Sequence, residues 1–450
     1  MLKALWHNCI HATDFSIYQE AIYDIAHLKD FNPFITMRDT KIFNDHFDPI
    51  IFLAAPFVAL FNYQAESLIM FEFLWLIGIV LFFWMKSDLK TEQKLTGIFC
   101  IFLTKGLLSG LFFPIHPSTW AMFPCFTLTY SIYKNKKTGI LLSVLALFAF
   151  KESFAFGTLI LGIWYLIKRD YKFSSIIVFL SLASLVFSFK LRAIILGPTV
   201  SYGSNLLSSY IDNPVESFTS LIKEFPYKDF IKVLAPFVLP IGFYLKKSKQ
   251  GLKDPVYGTL FFIAPLLAIF ILKKSIHYQY GAQIVAPLLA LILFAPIEKN
   301  VFATKKFPFF IALIFFLTGM GRMTKAFNLV FLDKSKTCEV SETKSKELIK
   351  IKEIIKHGEY KKIVATGSTI PTILIPGKEF YQLGVYSSRS YYYDLIIIQK
   401  RGGKIFPYNN DIHKQAANDC LKNSDLIMNT DFFFVAENPK GTCYEFADKR

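Results

Sequence analysis

Leu68-Ile-Met-Phe-Glu-Phe-Leu-Trp-Leu-Ile-Gly-Ile-Val-Leu-Phe-Phe-Trp-Met85 decides the fold. As a helix it is about 27 Å long at about 1.5 Å per residue, and it carries apolar side chains on every face. Only Glu72 interrupts it. A helix with no polar side suits the hydrocarbon core of a bilayer, about 30 Å thick, better than the surface of a water-soluble core. Similar blocks follow at Leu95–Phe113, Pro117–Tyr133, Thr138–Phe150, Ser153–Ile167 and Ser174–Phe189. Four more run over Phe230–Leu245, Val256–Leu272, Tyr280–Ile297 and Phe307–Met320. These predict an all-α polytopic bundle of about ten transmembrane helices. The composition agrees: 53% of 450 residues are hydrophobic, 19% are charged, and 49 are Phe.

The net charge of +16 does not form a continuous basic stripe, so nucleic acid is not an expected partner. Lys and Arg collect instead in alternate loops: Lys86, Lys90 and Lys94; Lys134, Lys136 and Lys137; Lys168, Arg169 and Lys172. The same set continues with Lys246, Lys247, Lys249 and Lys253, then Lys299, Lys305 and Lys306. Basic loops favour the cytoplasm, which puts the charge-balanced Lys190–Asp229 connection and both termini on the other side. The organisation expected is an extracytoplasmic N-terminal segment over residues 1–67, a bundle over 68–323 and an extracytoplasmic α/β tail over 324–450. Pro49–Tyr63 is apolar but short, as an interfacial helix would be. A charged N-terminal segment on the far side needs something to carry it across, so a further helix upstream is expected.

In the tail, Ser341–Lys356 has helical periodicity, and Ile363–Ala365, Leu395–Ile398 and Phe432–Val435 read as strands. The six cysteines show no CxxC pair and no zinc spacing; Cys420 with Cys443 is the expected disulfide in an exported tail. P-loop, Rossmann, GxSxG and HExxH patterns are missing, which weakens nucleotide-driven transport and common hydrolase chemistry.

The remaining ionisable residues collect in the outward loops. Asp14, Gln19, Asp45 and His46 lie in the N-terminal segment, His116 lies between prolines, Lys151–Glu152 forms a turn, and Lys273, Lys274, His277 and Tyr278 form the last. Each has a plainer reading: Asp14 as a solvated carboxylate, His116 as a helix cap, Lys151 with Glu152 as an ion pair, and His277 with Tyr278 as an interfacial pair. Glu72 and Lys105, inside apolar blocks, would pair with each other to lower a cost of about 2.5 to 3.5 kcal/mol apiece in mid-bilayer.

The ordered string Asp14-Phe-Ser-Ile-Tyr-Gln-Glu, Asp45-His46-Phe-Asp48-Pro, Ile115-His116-Pro, Lys151-Glu152 and His277-Tyr278 resembles DUF2079, a bacterial membrane family of unknown function. That family in turn resembles the GT-C superfamily of membrane glycosyltransferases. The resemblance implies a bacterial inner-membrane enzyme taking a sugar from a polyprenyl-phosphate donor on the non-cytoplasmic face. It implies Asp14 as catalytic base or as ligand of a divalent metal ion. Lys151, with Lys273 or Lys274, would meet the donor phosphate. His46, His116, Glu152, His277 and Tyr278 would contact substrate. The alternatives are a non-enzymatic transporter or binder of lipid-linked sugars, or a structural protein whose tail recruits an envelope partner.

Overall fold

The computed structural model describes residues 2–6, 13–45, 47–111, 115–197, 210–247, 251–276, 279–294, 340–367, 369–382, 393–400 and 424–437, together with Thr324 and Asn328. Within them the molecule is a helical bundle joined to a small mixed sheet. Three helices are long and apolar enough to cross a membrane: Ala65–Lys86, Tyr171–Leu196 and Pro255–Leu272. A fourth crossing is made if Thr91–Leu103 and Lys105–Leu111, bent by 55°, act together. Exposed Leu74, Ile77, Leu81, Phe179, Leu182 and Val186 show why lipid is needed: these large side chains lie on the outside of the bundle.

Of the about ten crossings expected, the described residues form three, or four with the bent pair, that are long and apolar enough to span. Ile51–Leu60, Lys137–Phe148, Ser153–Ile167 and Tyr280–Phe294 are apolar helices of 10–17 residues, so most fall well short of the ~20 residues a straight span needs. The Leu95–Phe113 run is broken because Thr104 adopts extended backbone between two helices. Ile51–Leu60, only about 15 Å long, packs on the helix Thr13–Ala26 and on Ala65–Lys86. The Phe307–Met320 block, Cys420 and Cys443 lie outside the described residues.

Small residues let the short helices close on one another. A Cβ on Gly157 would stand 2.8 Å from the Phe262 carbonyl oxygen, so Ser153–Ile167 and Pro255–Leu272 touch nearly backbone to backbone. An aromatic layer of Phe71, Trp75, Trp120 and Phe150 fills the space between Ala65–Lys86 and its neighbours. Beside it Glu72 is fully buried, and neither of its oxygens has a hydrogen-bond partner among the described residues. The pairing with Lys105 expected from sequence is not formed.

In the tail, Ser341 Oγ accepts from Lys344 N and starts the helix Glu342–His357. Five strands follow in the spatial order Glu379–Gln382, Lys362–Ala365, Leu395–Gln399, Phe433–Glu437, Asp425–Asn429. The first three are parallel and the last two pairings antiparallel. The tail docks onto the N-terminal segment through the short helix Ile370–Ile373 and the sheet: Gln19 Nε2 donates to Pro371 O at 3.2 Å, and Thr36 Oγ1 lies 2.6 Å from Phe380 O.

Candidate functional site

The loops assigned by charge to one side converge at one end of the bundle. Asp14 stands in the first turn of Thr13–Ala26, where helix-terminal N–H groups favour a carboxylate. Tyr18, four residues on, shares its helix face. The Tyr18 hydroxyl donates to Asp48 Oδ2 at 2.6 Å and its ring meets the His116 ring edge-on at 5.3 Å. Ile50 N donates to Ala149 O at 2.9 Å, tying the Asp48 turn to the turn that bears Lys151 and Glu152. Tyr280 completes the group, its ring 5.9 Å from Lys151 Nζ and 5.5 Å from Lys273 Nζ.

Arg38 reaches Asp14 through Nη2 and Asp45 through Nε, each at 3.9 Å. Lys151 is 7% exposed, yet among the described residues no carboxylate oxygen comes within 4 Å of its ammonium. It is therefore not held in an ion pair with Glu152. Glu152 Oε2 and Asp48 Oδ1 are buried without a hydrogen-bond partner among those residues.

Burial and neighbouring charges set the protonation states. Burial raises the Asp14 carboxyl above the ordinary carboxylate range, with Arg38 and Lys151 pulling it back and Asp45 pushing it up. Burial carries Asp48 up to about 7 against the opposing pull of Lys151 and the Tyr18 hydrogen bond. For Lys151 burial favours the neutral amine, but Tyr280, Glu152, Asp48 and Asp14 together outweigh it and raise its affinity for the proton. His116 is driven well below its usual value by burial, then by Lys151 and Lys273. Its Nδ1 accepts from Ser118 N at 3.1 Å, so the neutral ring carries its proton on Nε2. His116 is thus the helix cap of the plainer reading and a wall of the cluster as well.

Of the residues singled out from sequence, Asp14, His116, Lys151 and Glu152 are brought together, with Lys273 beside them. His46, His277 and Tyr278 lie outside the described residues. Tyr18, Arg38 and Asp48 join the site without having been selected. Asp48 lies inside the quoted Asp45–Pro49 motif, and the spacing of Tyr18 from Asp14 was an available signal. For a divalent ion, no three His, Cys, Asp or Glu side chains among the described residues are placed to share one.

The opposite end is different in kind. There Lys137 Nζ contacts Asp170 Oδ2 at 2.6 Å, Lys168 Nζ lies 4.7 Å from the Trp164 ring centre, and Trp164 Nε1 donates to Leu252 O at 2.8 Å. These basic loops are paired or stacked, whereas the Asp14–Lys151 end presents a buried cation beside under-bonded carboxyls.

Comparison with known proteins adds a family. No curated protein matches the sequence. Among solved structures the chain is similar to ArnT from Cupriavidus metallidurans, crystallised with undecaprenyl phosphate: identity is 10%, covering 97% of this chain and 96% of that one, with a TM-score of 0.46. That degree of likeness leaves activity to be argued from the residues. The family model described as "Predicted membrane protein (DUF2079)" matches residues 9–331. With most of its length matched, this multi-pass membrane chain belongs to the DUF2079 family.

Proposed function

We propose that the chain is a glycosyltransferase of the bacterial inner membrane, moving a sugar from a polyprenyl-phosphate donor to an acceptor on the non-cytoplasmic face. One observation carries the reading: the Lys151 ammonium is buried without a carboxylate within 4 Å, among Asp14, Asp48, His116 and Lys273. A buried cation held this way is arranged for an anion that arrives with substrate. A phosphate on a lipid carrier supplies that charge and reaches the site from the bilayer.

In the transfer, the bond between the anomeric carbon and the donor phosphate oxygen breaks while an acceptor oxygen bonds to that carbon. Lys151 and Lys273 stabilise the phosphate as its negative charge grows. Asp14 takes the acceptor hydroxyl proton; its raised proton affinity strengthens it as a base once ionised. Arg38 holds the Asp14 carboxylate in place, and His116 donates from Nε2 to phosphate or sugar. The motif resemblance adds His46, Glu152, His277 and Tyr278 as substrate contacts.

The test is transfer of radiolabelled sugar from a panel of polyprenyl-phosphate donors by the purified chain, beside Asp14→Asn. Transfer that disappears in a folded Asp14→Asn protein supports the assignment. Equal transfer by both removes Asp14 from the mechanism, and lipid binding without transfer from any donor favours the binder or transporter alternative.

A further inference from the structure

The helix Pro214–Glu224 turns its apolar side away from the protein. Val215, Phe218 and Ile222 recur at i, i+3 and i+7, which makes one stripe of the helix, and they are 79%, 52% and 66% exposed. Ile211, just ahead of the helix, is exposed as well. None of the helix residues is buried. In a water-soluble fold such a stripe would face the core.

The opposite side is the one that is held. Ser220 lies about half a turn round from the stripe, and both its Oγ and Glu224 Oε2 lie 2.5 Å from Lys274 Nζ. Tyr210, ahead of the helix, donates its hydroxyl to Leu272 O at 3.1 Å. Both attachments reach the same end of Pro255–Leu272, one of the helices long and apolar enough to cross a membrane. Pro214–Glu224 therefore sits beside the level at which that span leaves the bilayer. This is the Asp14–Lys151 end, because Lys274 follows Lys273, whose Nζ is 5.5 Å from the Tyr280 ring. Further on, the Phe225 ring meets Phe230 at 4.5 Å, and the helix Tyr227–Lys247 presents exposed Ile231 and Val238, seven residues apart on one face. The outward apolar surface is thus continued by the next helix in the chain.

We propose that Pro214–Glu224 is seated in the bilayer at its boundary with water, with Val215, Phe218 and Ile222 against the lipid chains. The surrounding charges suit lipid: Asp212, Glu216, Glu224 and Asp229 are balanced by Lys223, Lys228, Lys232 and Lys274, so no partner of one sign is selected and the apolar side chains supply the attraction. Three side chains on an 11-residue helix fall far short of the roughly 800 Å² that each side of a stable protein interface contributes. They suffice for a helix already tied to a span. Glu216 and Lys223, also seven residues apart, form a charged flank beside the stripe that stays among headgroups or in water. Since lipid and Lys274 lie on opposite sides of the helix, the bilayer braces the turn that carries Lys273.

The test places the photoreactive residue p-benzoylphenylalanine, in separate full-length proteins, at Phe218, Ile222, Glu216 or Leu74, the last being an exposed position of the span Ala65–Lys86. Each protein is reconstituted in phosphatidylcholine vesicles with tritiated acyl chains and irradiated, and label on the protein is counted. Circular dichroism verifies that each is folded. Moving one aromatic side chain from water into lipid is worth about tenfold or more, so positions 218 and 222 should give at least about tenfold more lipid adduct than 216 and approach the yield at 74. Adding phosphatidylglycerol should leave that ratio unchanged. Adduct at 218 and 222 no greater than at 216, adduct that appears only with phosphatidylglycerol, or cross-linking of these positions to a second copy of the chain would each overturn the assignment. The outcome is independent of glycosyl transfer, since no sugar donor is present.

Discussion

Replacing Asp48 by Asn should stabilise the protein at neutral pH while impairing the site. Asp48 is fully buried, and its carboxyl is carried from 3.8 to about 7 by burial. Because the folded-state value is the higher one, the contribution of the protonated carboxyl is fully present below 3.8. It is lost progressively as pH rises through about 7. Each pH unit across that window costs about 1.36 kcal/mol, giving about 4 kcal/mol in all. Asparagine does not titrate, and its Oδ1 still accepts the Tyr18 hydroxyl. The difference in unfolding stability between Asp48→Asn and the parent should therefore be about 4 kcal/mol in the variant's favour above pH 7, shrinking to about 1.5 kcal/mol near pH 5. Unfolding of both proteins in the same detergent, followed by tryptophan fluorescence across that pH range, measures it. Parallel curves would refute the reasoning, because a carboxylate stabilised in its ionised form contributes no such slope. A gain in stability accompanied by a loss of transfer would show that this buried acid is kept for the site rather than for the fold.

Lys151→Met should keep the fold while lowering sugar transfer by about 10²–10³-fold, the effect of removing one stabiliser of developing charge; a change below tenfold argues against phosphate binding there. Gly157→Ala should cost about 1–3 kcal/mol, because the added methyl meets the Phe262 carbonyl at 2.8 Å and backbone cannot swing aside. Thermal unfolding checks it, with Gly242→Ala, where a Cβ meets nothing within 4 Å, as control. A reporter fused after Lys253 should be cytoplasmic and one fused after Lys336 exported; reversal of both would place the Asp14–Lys151 end on the cytoplasmic side and remove the basis of the proposed donor.

Some of this was legible in the residues because the bilayer leaves few choices. Leu68–Met85 has no face for water, and it lies within the helix Ala65–Lys86. Ser341 ahead of a periodic run marked a tail helix, which starts there. Separate apolar blocks did not reveal where helices break, because Thr104 is an ordinary residue by composition and ends its helix only through backbone conformation. The strand Asp425–Asn429 escaped notice since Asp425, Leu426 and Ile427 are all exposed, leaving no inward and outward alternation to read. At the site, the loops brought together were those of like charge balance. Tyr18, Arg38 and Asp48 were harder, because each matters through a partner distant in sequence: Asp48 for Tyr18, Asp14 and Asp45 for Arg38. Motif order marks the turns, whereas hydrogen-bond partners depend on how the turns meet.

The distribution of ions also bears on the choice between transferring a sugar and carrying it across. A transporter needs polar groups along a path, with a site accessible from either side in turn. Here the unpaired buried carboxyl oxygens of Asp48 and Glu152 lie at one end with Lys151, while Thr129, Thr259 and Gln283 carry buried polar atoms without a hydrogen-bond partner among the described residues along the helices. At the other end Lys137 is paired with Asp170 and Lys168 stacks on Trp164. Between Ala65–Lys86 and its neighbours the interior is occupied by Phe71, Trp75, Trp120 and Phe150 rather than by a ladder of polar side chains. Glu72 is the buried ionisable exception among the described residues there, with the neutral Thr129, Thr259 and Gln283 on other helices, and a single buried carboxyl does not make a path for charge, since a charge leaving it meets aromatic rings. An aromatic interior beside Ala65–Lys86 and unpaired buried ions at the Lys151 end fit the proposed transfer at a single face better than a polar path through the bundle.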